Sequence, residues 1–233
     1  HKLSDFGEAK GAELLAGKGL RASHLYWAGG FTGSDGRSFR AAVDDAREAV
    51  RVTADLGASC LVLFSGARAG HTYNHARRLV REAIKELLDD AEKHNVDLAI
   101  EPMHPACAGE FTFLNVPEDV FELMDEVGSP RLKMVFDVYH QGFDPDVTYR
   151  VGDWIPRIAF VQLGDAKRDP GAEQNRCLLG EGILPVAEIV SALQKAGYDG
   201  CYDVELLGED VEPYSYEQLL ENAKQFYATH IAN

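Results

Sequence analysis

Short apolar runs alternate along this chain with longer stretches in which apolar residues return every three to four positions. Residues 20–27, 60–64, 97–103, 132–139, 158–163 and 201–207 read as strands, the clearest being the unbroken run from Cys60 to Phe64. Residues 39–56, 72–95, 115–127, 185–196 and 215–230 read as helices, with shorter helical stretches at 5–15 and 146–154. Helix 72–95 carries the strongest stripe, in Leu79/Val80, Ala83/Ile84, Leu87/Leu88 and Ala91. Asn115 with Glu118, and Ser215 with Gln218, have the spacing of a capping box, and Gly197 closes the helix before it.

Strands that are apolar on both faces belong to a parallel sheet covered by helices. Strict alternation of strand and helix leaves a doubly wound sheet or a (β/α)8 barrel. The expectation is one α/β domain over residues 1–233, a (β/α)8 TIM barrel. Six strands are counted where a barrel has eight, and helical stretch 5–15 has no strand before it. The sequence opens on His1 rather than Met, so the first two strands are expected to be missing from it. Residues 29–36 and 167–182 are long strand-to-helix loops, the place where barrels carry function.

Composition narrows the function. The chain has 233 residues, 45% of them hydrophobic and 26% charged, which is an ordinary globular mix. Its 38 acidic and 23 basic residues give a net charge of −15. Such a surface repels nucleic-acid backbones and anionic membranes, and makes a heavily phosphorylated ligand less favoured. Cys60, Cys107, Cys177 and Cys201 lie far apart without a Cys-x-x-Cys, so neither a disulfide framework nor a zinc knuckle is expected, and a cytoplasmic location is. No apolar run approaches the ~18 residues of a membrane span, and no signal peptide is read.

The ends of the last four strands carry the chemistry. Glu101 lies in Ile-Glu-Pro-Met-His-Pro, Asp137 in Val-Phe-Asp-Val-Tyr-His, Gln162 in Val-Gln-Leu-Gly-Asp and Glu205 in Asp-Val-Glu-Leu. Each is an oxygen donor in or just after an apolar run. A single glutamate in such a place is most often a salt-bridge or capping partner, but four successive strands repeat the feature. In a barrel these ends converge, and three carboxylates sharing a buried space call for a compensating cation. Oxygen donors favour Mn²⁺, Mg²⁺ or Co²⁺ over a thiolate-type zinc site. The Gly66–Gly70 segment lacks the Gly-Lys-Ser/Thr ending of a phosphate loop, and no Gly-x-Ser-x-Gly elbow is present.

These segments, with Leu-Leu-Gly-Glu-Gly at 178–182, resemble the xylose isomerase-like superfamily of sugar isomerases and epimerases, including ketose 3-epimerases, hydroxypyruvate isomerases and dehydroshikimate dehydratases. The resemblance covers residues 20–207 and is specific in combination. It implies a barrel in which Glu101, Asp137, Gln162 and Glu205 hold one divalent ion, Mn²⁺ foremost and Co²⁺, Mg²⁺ or Zn²⁺ as alternatives. Ketose 3-epimerases usually carry His where this chain has Gln162, which weakens that particular assignment. The resemblance further implies substrate contacts from His140, three after Asp137, and from Arg168, six after Gln162. His104 reads as a proton shuttle or ligand contact on one side and a hydrogen-bonded loop histidine on the other. Trp27 reads as an aromatic wall against a sugar face or as a core residue. The remaining histidines have no ligand spacing.

The expected reaction begins with removal of the proton beside a carbonyl. A metal chelating two neighbouring oxygens stabilises the cis-enediolate, while Glu101 and Glu205 serve as base and acid on the two faces. His140 and Arg168 support the developing charge. The leading expectation is a metal-dependent isomerase or epimerase of a keto sugar or related hydroxy-ketone. The alternative is a lyase on the same scaffold, a dehydroshikimate-type dehydratase or a C-glycoside-cleaving enzyme. Abasic-site endonucleases share the barrel but need a histidine-rich zinc cluster and a basic face. A non-catalytic binding subunit is disfavoured because all four ligand positions keep oxygen donors. The expected partner is a small carbohydrate, neutral rather than phosphorylated because Arg168 is the only basic residue placed in the pocket. A homo-oligomer, dimer or tetramer, is also expected.

Overall fold

The computed structural model describes residues 7–109 and 111–232. Of the helical stretch expected at 5–15, the first two residues lie outside these, and the remainder forms α1 (Glu8–Gly17). The chain groups into two compact units, His1–Ile100 with Leu123–Lys133, and Glu101–Glu122 with Met134–Asn233.

The first unit holds three parallel strands, β1 (His24–Gly29), β2 (Cys60–Phe64) and β3 (Asp97–Ile100). Between them run α2 (Phe39–Asp55) and α3 (Tyr73–His94). Both helices start on a capping hydroxyl: Ser38 Oγ accepts from the Ala41 N–H at 3.1 Å and Thr72 Oγ1 from the His75 N–H at 3.3 Å. Asn95, at φ 55°, ends α3 in the left-handed conformation that asparagine tolerates. The stripe read from the sequence is the buried one, with Val80, Ala83, Ile84, Leu87 and Ala91 facing inward. β1 starts four residues later than the sequence pattern indicates, because residues 20–23 take no strand pairing. Trp27 lies half-exposed on β1 and packs its ring against Phe64 at 5.1 Å between centroids.

The second unit holds β4 (Leu132–Asp137, from Met134 onward), β5 (Ile158–Leu163) and β6 (Tyr202–Val204), again parallel. Asp137 sits directly opposite Gln162 in the β4–β5 register. Short helices α4 (Pro105–Ala108), α6 (Val138–Gln141) and α7 (Val147–Trp154) belong to the same unit, with the first turns of α5 (Pro117–Val127). α8 (Val186–Lys195) and α9 (Tyr216–His230) complete the unit. The Ser215–Gln218 capping box forms as its spacing indicates. The Asn115–Glu118 box does not. Asp119 Oδ2 instead accepts from the N–H groups of Asn115 and Val116, at 2.9 and 3.3 Å, while Glu118 pairs with Arg150. One α9 residue reaches far: Asn222 takes the Leu179 N–H at 3.0 Å and gives its own N–H to the Leu179 carbonyl at 3.2 Å.

The six parallel strands of the described residues, alternating with helices, are the α/β pattern of a TIM barrel. Among the described residues no helix is long and apolar enough to cross a membrane.

Candidate active site

Three expected strands stop early, and their stopping points build the site. β3 ends at Ile100, and Glu101 is the first residue beyond it, before Pro102. β4 ends at Asp137, which caps α6: its Oδ1 accepts from the Tyr139 N–H at 2.8 Å, leaving Oδ2 free to face inward. Tyr139 and His140 are therefore helical rather than extended. The i to i+3 relation of a helix turns His140 to the side of Asp137. Its Nε2 lies 3.6 Å from Asp137 Oδ2 and 3.5 Å from Glu101 Oε1. Glu101, Asp137 and His140 each offer a donor atom within 4.8 Å of the others.

Gln162 and Glu205 complete the cluster. Gln162 Nε2 donates to Glu205 Oε2 at 2.9 Å. Glu205 follows β6, where its N–H bonds the Leu163 carbonyl at 3.2 Å. The sequence pattern extends this last strand to residue 207, but its ladder ends at Val204. Asp137, His140 and Gln162 are buried, and Glu101 nearly so.

A residue that the strand-end pattern misses stands at the centre. Arg176, fully buried, donates from Nη2 to Asp137 Oδ2 at 2.7 Å and to Glu205 Oε2 at 2.9 Å. Its guanidinium lies over the Tyr139 ring at 4.3 Å, and its backbone N–H is fixed to the Leu207 carbonyl at 2.9 Å. The cation that three clustered carboxylates demand is thus supplied in part by the chain itself. Arg176 lies in a loop with no periodicity, which is why pattern reading passes over it. The pointer that was available is its place just before the apolar Cys177–Leu179 run.

Arg168, expected at a substrate, does not join the carboxylates. Its side chain is 57% exposed and pairs with Asp210 at 3.1 Å. It lines a cavity of about 280 Å³ with Tyr139, Gln174 and Asn175. His104 caps α4, its Nδ1 accepting from the Ala106 N–H at 3.3 Å. Trp27 belongs to the first unit.

The electrostatics follow from burial and like charge. Burial first, then the Asp137 and Glu205 carboxylates, hold Glu101 well above the usual carboxylate range. Burial pushes Glu205 up to about 7, against the pull of Arg176. Burial pushes His140 down to about 4, although Asp137 favours its charged form. Burial works against the charge of Arg176, but Asp137 and Glu205 outweigh it and hold the group cationic. Both ring nitrogens of His140, Gln162 Oε1 and Arg176 Nε are buried without a hydrogen-bond partner. Four unmade bonds around one point are unusual in a native interior and mark a place built to receive something.

Behind the cluster, the carboxylate of Asp165 organises the loop. It accepts from the N–H groups of Ala166, Gly180, Gly182 and Leu184 at 2.8, 3.1, 3.0 and 3.2 Å. A Cβ on Gly182 would overlap that carboxylate, so only glycine fits there.

The chain is similar to known proteins. A family model described as xylose isomerase-like TIM barrel matches residues 2–228. Among curated proteins, the chain is 33% identical over 127 residues to D-psicose 3-epimerase of Enterocloster bolteae, covering 53% of this chain and 37% of that protein. It is 26% identical over 140 residues to L-ribulose-5-phosphate 3-epimerase of Escherichia coli O157:H7, covering 60% and 46%. The chain spans about half the length of the curated relatives it matches. Among solved structures, protein SMc04130 of Sinorhizobium meliloti superposes with a TM-score of 0.86 at 27% identity, over 98% of this chain and 85% of that one.

Proposed function

The chain belongs to the xylose isomerase-like TIM-barrel family, and on that premise we propose that it isomerises or epimerises a keto sugar or related hydroxy-ketone with one divalent metal ion. The observation that carries this reading is the convergence of Glu101, Asp137, His140, Gln162 and Glu205 around one point, where His140 Nε2 and Gln162 Oε1 have no protein partner. Carboxylate and carboxamide oxygens beside an imidazole are a donor set suited to Mn²⁺, with Co²⁺, Mg²⁺ or Zn²⁺ as substitutes. Glu101, Asp137, Gln162 and Glu205 are assigned to hold the ion. When bound, it supplies a Lewis-acid centre beside the substrate carbonyl.

The chain's own residues do the rest. Glu205, with an affinity for protons near neutrality, takes the proton next to the carbonyl, and Glu101 returns one to the opposite face or to the neighbouring carbon. His140, held neutral by burial, offers an N–H to a substrate oxygen. Arg176 brings a positive charge to the side of the developing oxyanion, the role the sequence assigns to Arg168. Both curated relatives given above are named 3-epimerases, and one of these two names includes a phosphorylated sugar. A neutral substrate is proposed because three carboxylates outnumber the one arginine described among them.

Glu205→Gln should abolish exchange of a substrate α-proton with D₂O while substrate still binds, and undiminished exchange removes Glu205 from this role. Chelation should silence activity and Mn²⁺ restore it. A product differing in mass from the substrate would replace the isomerase with the lyase; His104, tied up as a cap, lends that alternative no support.

A further inference from the structure

Resting on the metal assignment above, we infer that Arg176 and the divalent ion are alternative occupants of the same two oxygens. Uptake of the ion would then drive the guanidinium off Asp137 and Glu205 toward the neighbouring cavity.

The contacts define the conflict. One nitrogen, Arg176 Nη2, bridges Asp137 Oδ2 at 2.7 Å and Glu205 Oε2 at 2.9 Å, much as a small cation would. The other oxygen of Asp137 is engaged by the Tyr139 N–H, so Oδ2 is the one that faces the cluster. An ion bound to Asp137 and Glu205 through these oxygens cannot share them with Nη2. Glu205 Oε2 also receives the Gln162 amide N–H, which points Gln162 Oε1 away from any partner. Both donors must turn before the two carboxylates and Gln162 can present oxygen to one ion.

The surroundings give the displaced group somewhere to go. Nη1 already reaches toward Gln174, 3.3 Å from its Oε1 and 3.5 Å from its carbonyl, contacts too long to anchor it but on the exit side. Gln174 lines the 280 Å³ cavity with Tyr139, and the Tyr139 face beneath the guanidinium is a surface along which it can slide. Arg176 Nε has no partner where it stands, so moving costs no bond at that atom. The backbone does not need to follow, because the Arg176 N–H is held by Leu207 and the next residue's N–H by the Asp165 carbonyl, both at 2.9 Å. Loading the ion would thereby deliver a guanidinium to the cavity.

The test is calorimetric titration of Mn²⁺ into metal-stripped protein, for the parent, Arg176→Met and Arg176→Lys. Methionine keeps much of the stem without the charge. Two cations contending for the same oxygens oppose one another by well over a factor of ten, so Arg176→Met should bind Mn²⁺ at least tenfold more tightly. Arg176→Lys, which keeps the charge, should stay near the parent. Stripped Arg176→Met should also melt lower than the parent and recover more on adding Mn²⁺. Should the methionine variant fail to fold, nitrogen-15 spectra of the parent's Arg176 Nε–H, assigned by its loss in Arg176→Lys, read the same event with diamagnetic Mg²⁺. A signal that moves supports the exchange, and a signal that stays overturns it. Equal or weaker Mn²⁺ binding by Arg176→Met overturns the exchange alone, whereas a parent chain that takes up no ion overturns the metal assignment with it.

Discussion

Changing Asp165 to Asn tests whether the loop carrying Arg176 is held from behind. The carboxylate is 1% exposed and spends Oδ1 on the Ala166 and Leu184 N–H groups and Oδ2 on those of Gly180 and Gly182. Asparagine keeps one oxygen and replaces the other with an N–H₂ that faces two donors. Two charge-assisted bonds are lost, at roughly 1.5–3 kcal/mol each, and two N–H groups are left without their acceptor. The expected cost is about 3–6 kcal/mol. For a chain of this size each kcal/mol moves the melting temperature by about 2–4 °C, so the variant should melt roughly 6–24 °C below the parent. Calorimetry and urea denaturation in one buffer, with the exposed Glu212→Gln as control, give the number. Gly182→Ala, which drives a methyl into the same carboxylate, should lower stability in the same range. A melting temperature for Asp165→Asn within about 2 °C of the parent, where the loop's loss would predict far more, would show that the four bonds are replaceable and refute the reasoning.

Two further predictions concern charge. Because the folded chain holds Glu205 near 7, above its unfolded value, its contribution to stability is fully present below about pH 4.5 and is lost as pH rises through about 7. Urea melts of metal-stripped parent and Glu205→Gln should therefore show the parent losing ground to the variant across that interval; a constant difference refutes it. Arg168→Ala, which breaks a pair exposed on the arginine side with Asp210, should change stability by about 1 kcal/mol or less in the same assay.

The positions of the strands and of the helix starts at Ser38, Thr72 and Ser215 are legible in the sequence because they rest on local rules: an apolar run, or a hydroxyl three residues before the N–H it caps. The site is half legible. Oxygen donors at strand ends are visible as polar interruptions, and the structure brings all four together. What hides is the turn at Asp137. Val138 and Tyr139 are buried, so hydrophobicity continues unbroken while the backbone changes from strand to helix, and periodicity has nothing to register. The Asn115–Glu118 spacing misleads for a different reason, since Asp119 one residue on supplies a better acceptor for the same N–H groups. Arg176 is invisible to spacing altogether and emerges only when the charge of the buried carboxylates is balanced.

Asn222 gives α9 a stake in the site that its packing does not suggest. Among the described α9 residues only Phe226 is buried, yet the Asn222 amide meets both polar groups of Leu179 as a neighbouring strand's peptide would. Aspartate would lose the donor, and glutamine would displace the amide by a methylene. The loop it holds begins Gly180-Glu181-Gly182, on the Asp165 carboxylate. Positions 165, 180, 182 and 222 therefore form one grammatical unit spread over 58 residues of sequence. In an alignment of relatives these four identities should appear or vanish together, and a chain that keeps the glycines while exchanging the asparagine must have found another way to finish the sentence.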